Sequence, residues 1–147
     1  MRWGVRRASK RLSKATTAEQ RDKAVASLNK HRDKAAKKIT KLESKRPKLE
    51  KAYDKAITKL DPKIAKMESK KSRLERRATR AFTSDKKAAK LLGKASVIDL
   101  KINKLKAKSD TAKAAIAKNE HMTSLFKRGI ADIDSALASA GREYVNG

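Results

Sequence analysis

The sequence predicts an all-α protein: a long antiparallel helical hairpin of the coiled-coil kind, preceded by a basic N-terminal arm. The helix formers Ala, Lys, Leu and Glu are abundant, and the 147 residues include only 5 Gly and 2 Pro. Apolar residues recur at alternating spacings of three and four along two long stretches. Ala supplies 24 of the 56 apolar residues, so the chain can bury only a thin seam between helices.

Residues 1–16 are predicted to form the basic arm. The arm carries six cations and no acid: Arg2, Arg6, Arg7, Lys10, Arg11 and Lys14. Thr17-Ala18-Glu19-Gln20 then has the spacing of a capping box, in which the Thr17 hydroxyl and the Gln20 side chain satisfy free backbone donors. The first long helix should therefore begin at Thr17.

A first long helix is predicted over residues 17–81. One set of its seam positions is Val25, Arg32, Ile39, Arg46, Tyr53, Leu60, Met67, Leu74 and Ala81. The second set is Leu28, Ala35, Leu42, Leu49 and Ala56, and it then shifts by one residue to Ile57, Ile64, Lys71 and Ala78. Pro47 and Pro62 each remove a backbone donor and clash with the preceding turn. We expect the helix to be kinked near both prolines, or briefly broken at 43–47 and 58–62.

The main reversal of the chain is predicted at residues 82–85. Thr83 or Ser84 can cap the next helix, with Asp85 in its positive first turn. A second helix should span 86–141, with Gly141 as its stop and 142–147 as a tail. Its seam positions are Leu91, Ala95, Ile98, Ile102, Leu105, Ser109, Ala112, Ile116, Asn119, Thr123, Phe126, Ile130, Ile133, Leu137 and Ala140.

The hairpin should bring Leu74 near Leu91 and Leu42 near Thr123. Polar residues at seam positions are expected to weaken the pairing of the helices: Arg32, Arg46, Ser109 and Asn119. Asp132 and Asp134, the densest acidic pair, are expected on the exposed face.

The residues offer no candidate catalytic or metal site. There is no Cys, and His31 and His121 lie too far apart in sequence to share a metal-ligand motif; both are expected on exposed helix faces. No Gly-rich phosphate loop is present, and the acids are scattered near Lys as in helix ion pairs. We therefore expect no enzyme, no cofactor and no small-molecule substrate. The longest apolar run, 114–117, cannot span a membrane, and no apolar segment follows the basic N-terminus, so no secretory signal is expected.

The net charge of +25 predicts a polyanionic partner. Double-stranded DNA is the first candidate, ahead of an anionic membrane or an acidic protein. The charge is +6 over residues 1–15 and +13 over 16–81, so the six arm cations and the first helix are the predicted phosphate-binding surface. Aromatic platforms for base stacking are missing, which favours sequence-independent binding.

The opening MRWGVRR resembles a motif of tailed-bacteriophage minor head and structural proteins that reads approximately H-Y-G-V-K-G-M-K-W-G-V-R. Met1, Trp3, Gly4, Val5 and Arg6 match its second half, with Arg2 at the Lys position, and the first half is absent. Met1 is therefore either an initiator or the product of a maturation cleavage.

That resemblance implies a bacteriophage virion protein, a minor or internal head component located inside the head and assembled in the host cytoplasm. It implies docking to the major capsid or portal protein through Trp3, Gly4 and Val5. One alternative is a histone-like, sequence-independent DNA-condensing protein. Another is a coiled-coil scaffold or ejection protein whose partner is an acidic protein or a membrane. Self-association is left open among the partner interactions.

Overall fold

The structure, a computed structural model, describes residues 3–80 and 82–146, with side chains from Gly4 to Arg80 and from Phe82 to Ala140. Four α-helices follow one another: α1 (Trp3–Ser13), α2 (Ala18–Lys55), α3 (Asp61–Ala78) and α4 (Asp85–Asn146). A π-helical turn, Ala56–Leu60, joins α2 to α3. No strand occurs in these described ranges, and the predicted all-α class is confirmed.

The chain divides into two compact units. The first unit comprises Met1–Arg46 with Lys118–Gly147, and the second comprises Pro47–Ala117. In each unit, an earlier helical segment packs antiparallel against part of α4, as the hairpin prediction requires.

The first unit contains a third helix where the sequence predicted an arm. In α1, Val5, Ala8 and Leu12 follow one another at spacings of three and four and are all buried. They join one apolar cluster with Ala24 and Leu28 of α2 and Ile133 of α4. The prediction of an arm over 1–16 is wrong for residues 3–13, because this spacing gives α1 an apolar face that burial stabilises.

The connection between α1 and α2 is closed by the predicted capping residues. The Gln20 N–H donates to the Thr17 hydroxyl at 3.2 Å, as expected for an N-cap. The Gln20 side chain accepts from the Thr16 N–H at 3.1 Å, one residue earlier than in the usual capping box. The N–H groups of Thr16 and Gln20 are thereby satisfied. The short connection between the helices allows α1 to fold back onto α2.

The second unit has its own apolar cluster near the chain reversal. Leu74 and Ala78 of α3 pack with Leu91 and Ala95 of α4, which confirms the predicted neighbourhood of Leu74 and Leu91.

In the first unit, the Asn119 amide donates to the Leu42 carbonyl at 2.9 Å, one turn from Thr123. Every predicted seam position of α4, from Leu91 to Ala140, is buried or half-buried.

The chain stays helical through both prolines, so the brief breaks that were one alternative at 43–47 and 58–62 do not occur, and the two sites differ from each other. Helix α2 continues through Pro47. Before Pro62, the Asp61 N–H donates to the Ala56 carbonyl, five residues earlier, and closes the π turn. The turn absorbs one extra residue, and this explains the shifted seam: Ala56 and Ile64 are buried, whereas Ile57, predicted in the seam, is 42% exposed.

Polar residues at the predicted seam positions have partners on the opposite helix. In the first unit, Arg32 Nε contacts Asp134 Oδ1 at 2.8 Å. Asp134 is exposed as predicted, and it also forms an ion pair between α2 and α4. Arg46 reaches Glu120 at 3.1 Å. Such pairs favour one register of the two helices, as polar seam residues do in coiled coils.

Asp61 holds the matching polar contact in the second unit. The Ser109 hydroxyl donates to Asp61 Oδ1 at 2.7 Å, and Lys113 Nζ lies 2.8 Å from Asp61 Oδ2. The hydrogen bonds from Lys113 and then Ser109 lower the pKa of Asp61.

The reversal lies where the sequence predicted it. The Lys87 N–H donates to the Ser84 hydroxyl at 3.2 Å, so Ser84 is the cap of α4. Thr83 instead donates to the Arg77 carbonyl at the end of α3. At its other end, α4 continues through Gly141 to Asn146. The predicted stop at Gly141 is therefore wrong, and the predicted tail over 142–147 is wrong for residues 142–146. Gly141 does not adopt the positive φ of a helix stop, so nothing in the backbone ends α4 there.

Candidate nucleic-acid interface

Helix α1 separates apolar from basic residues. Its apolar face is buried in the first unit, and its solvent side carries the exposed cations Arg6, Arg7, Lys10 and Arg11, followed by the exposed Lys14 just after the helix. Arg7 and Lys14 are seven residues apart, which is roughly 10 Å along the chain axis at helical rise. Four cations lie along this stretch, where duplex DNA of the same length carries about six phosphates.

A groove of about 560 Å³ runs between α1 and the start of α2. Its lining residues are Arg7, Lys10, Arg11, Lys14, Gln20, Lys23, Ala24 and Ser27. Burial of Ala24 against α1 forms the floor, and long cationic side chains form the walls. We call this the basic groove.

The structure therefore brings four of the six predicted phosphate-binding residues together in the basic groove. Arg6 is exposed on α1 but does not line the groove. Arg2 lies outside the described residues. Lys23 of α2 belongs to the predicted first-helix surface but was not singled out, because it joins the groove only once α1 is recognised as a helix folded against α2. The apolar spacing of Val5, Ala8 and Leu12 was the signal that could have found it.

One carboxylate moderates the positive charge of the basic groove. Glu19 lies 3.6 Å from Lys23, and both side chains are about four-fifths exposed. An exposed i,i+4 pair of this kind is weak. Residues 1–18 contain no acid, so the groove remains strongly positive.

The three predicted docking residues have different surroundings. The side chain of Trp3 lies outside the described part of the chain. A Cβ placed on Gly4 would lie 2.9 Å from His31 Cε1, so any other residue at this position would require the His31 side chain to move. Val5 is 5% exposed and already packs within the first unit. His31 is half-buried, contrary to the prediction that it is exposed, whereas His121 is exposed as predicted.

The described residues contain no group of three or more His, Cys, Asp or Glu side chains that could hold a metal ion. Within the same ranges, no helix combines the length and the apolar character that a membrane span requires. The most concentrated chemical feature of the described surface is its positive charge.

Comparisons with protein-family models, curated proteins and solved structures give no match for this chain.

Proposed function

We propose that this protein is a non-enzymatic structural protein that binds and neutralises double-stranded DNA without reading its sequence. The observation that carries the proposal is the basic groove, in which α1 and α2 place five cations together. Backbone phosphates are recognised by charge and reach alone, and such binding releases condensed counterions.

The biological setting that we propose is the head of a tailed bacteriophage, as a minor or internal component. The support is the Met-x-Trp-Gly-Val-Arg opening and its resemblance to phage structural proteins. In this setting the protein neutralises packaged DNA and docks to the shell or portal through the segment that contains Trp3. A free DNA-condensing protein would need the basic groove but not Trp3.

Binding to unrelated duplexes tests the DNA-binding part of the proposal. Labelled duplexes of equal length and different sequence should bind with nearly equal affinity, which should fall steeply with added salt. Substituting Lys10, Arg11 and Lys14 with Gln preserves helix propensity and should weaken binding to every duplex alike. Strong preference for one sequence, or no binding at low salt, contradicts the proposal.

Incorporation into particles tests the docking part. Trp3→Ala should weaken docking by about 2 kcal/mol or more if Trp3 is an anchor, and DNA affinity should hardly change because no charge is lost. If Trp3→Ala enters particles normally while DNA binding falls, the docking role and the phage setting are both wrong.

A further inference from the structure

A second groove, this one apolar, opens in the first unit where α1 begins. It has a volume of about 510 Å³, and α2 and α4 form its sides. Its apolar lining includes Ala35 of α2 together with Met122, Leu125 and Phe126 of α4. Leu125 is 45% exposed, so a large apolar side chain remains in contact with solvent at this groove. We call this the apolar groove.

The apolar groove continues the surface on which α1 packs. Val5 and Ile133 belong both to the core cluster beneath α1 and to the groove lining. His31, which touches Gly4 at the start of α1, lines the groove as well. Ile133 is itself only 1% exposed beneath α1, and the lining beyond it runs from Gly129 back to Met122, which is roughly 10 Å or about two helical turns. The uncovered length therefore suits a short helix that packs as α1 does.

Gly129 lines this groove. A Cβ added there would meet nothing within 4 Å. Its φ is not positive, so the backbone does not require glycine. Glycine inside a helix costs about 1 kcal/mol relative to Ala. Its presence here leaves room for the close approach of another backbone.

The charges beside the apolar groove indicate what kind of helix fits. Lys34 and Arg128 line it with one acid, Asp132, and Lys38 lies over the Phe126 ring at 5.2 Å. A second copy of this chain would bring more cations, since its net charge is +25. A helix with acidic flanks complements this rim.

We propose that the apolar groove binds an amphipathic helix of another protein, with apolar side chains on one face and Glu or Asp along its flanks. Packing of α1 shows the spacing that such a helix needs, with apolar residues three and four apart. The inference stands apart from DNA binding, because the apolar groove shares no lining residue with the basic groove.

The test uses a fluorescent helical peptide of about 14 residues, with Leu and Ala on one face and Glu elsewhere. One control peptide keeps every Glu but has Ser and Gln on the apolar face, and a second replaces Glu with Lys. The first peptide should bind the wild-type protein at least about tenfold more tightly than either control. Equal binding of the two Glu peptides would show charge attraction alone and overturn the proposal.

Two glycine variants locate the binding. Gly129→Leu fills the apolar groove, whereas Gly93→Leu places the same side chain in equally open space on α4 in the second unit. Gly129→Leu should weaken peptide binding about tenfold or more, with DNA binding unchanged, and Gly93→Leu should leave both unchanged. Equal peptide binding by the two variants overturns the site. A dimer in sedimentation equilibrium that Gly129→Leu dissociates overturns the acidic partner in favour of a second copy.

Discussion

At the scale of single residues, polar side chains select the register of the helices. Asp61 accepts from Ser109 and pairs with Lys113, and Arg32 pairs with Asp134. The sequence indicated that polar residues occupy the seam, but not their partners. Those partners lie 48 to 102 residues away, and only the packed structure determines which acid faces which cation.

The pKa of Asp61 predicts an acid-dependent stability. Because the folded state lowers this pKa below its ordinary value of 3.8, the ion pair stabilises the fold above that value. This contribution is lost as the pH falls through the lowered pKa. Asp61→Asn should therefore unfold at lower urea concentration than wild type at pH 7, and the difference should shrink as the pH falls below 3.8. Asp54→Asn is the control, and a pH-independent difference for Asp61→Asn would refute the assignment.

The two open glycines predict a gain in stability. At Gly93 and Gly129, an added methyl group meets no atom within 4 Å. Ala at either position should raise the free energy of unfolding by about 0.5–1 kcal/mol, because glycine has the greater conformational freedom when unfolded. Thermal unfolding of both single variants measures this. A lower melting temperature for Gly129→Ala would mean that this part of α4 is packed more tightly than described.

At the scale of the elements, the seam between the long helices was predictable from the sequence. The π turn and helix α1 were not. The three-and-four spacing located α4 and its buried face correctly from Leu91 to Ala140. The shift at Ile57 was visible in the sequence, but the π turn that absorbs it was not, because propensities do not distinguish π from α turns. Helix α1 was missed because its dense cations suggested a solvated arm, whereas three apolar residues suffice to hold it on a preformed surface.

The packing of α1 is tested by shortening one of its buried residues. Leu12 is 6% exposed, so Leu12→Ala should lower the free energy of unfolding by about 2 kcal/mol. Leu100 is 70% exposed, and Leu100→Ala should change it by less than about 0.5 kcal/mol. Urea denaturation compares the two. Equal, small effects would restore the interpretation of residues 1–16 as a free arm.

The π turn predicts an asymmetry between two deletions. Removing Ile57 converts the turn into regular α-helix and keeps all later seam positions in place. Removing Lys70 instead rotates the following seam residues, including Leu74 and Ala78, by about 100°, and should cost about 2 kcal/mol or more. Circular dichroism melts should show a stable Ile57 deletion and a destabilised Lys70 deletion. Similar losses in both would contradict the role given to the π turn.

At the scale of the whole molecule, charge and apolar surface have separate tasks. The chain has 41 basic and 16 acidic residues, and most of the acids with a described pair bridge one helix to another. The excess of basic over acidic residues leaves a strongly positive chain, which is the basis of the proposed binding to a polyanion. The composition predicted this partner class, but not that four arm cations and Lys23 would form one groove, which depends on the folding of α1.

The salt dependence of DNA binding tests the central claim most directly. The logarithm of the binding constant should fall linearly with the logarithm of salt concentration, with a slope near 0.9 per phosphate neutralised. Substitution of Lys10, Arg11 and Lys14 with Gln should reduce that slope by about 2 to 3. The same change at Lys94, Lys101 and Lys104, which are exposed on α4 in the second unit, should reduce it by less than about 1. Equal reductions for the two triple variants would contradict a basic groove that concentrates phosphate binding.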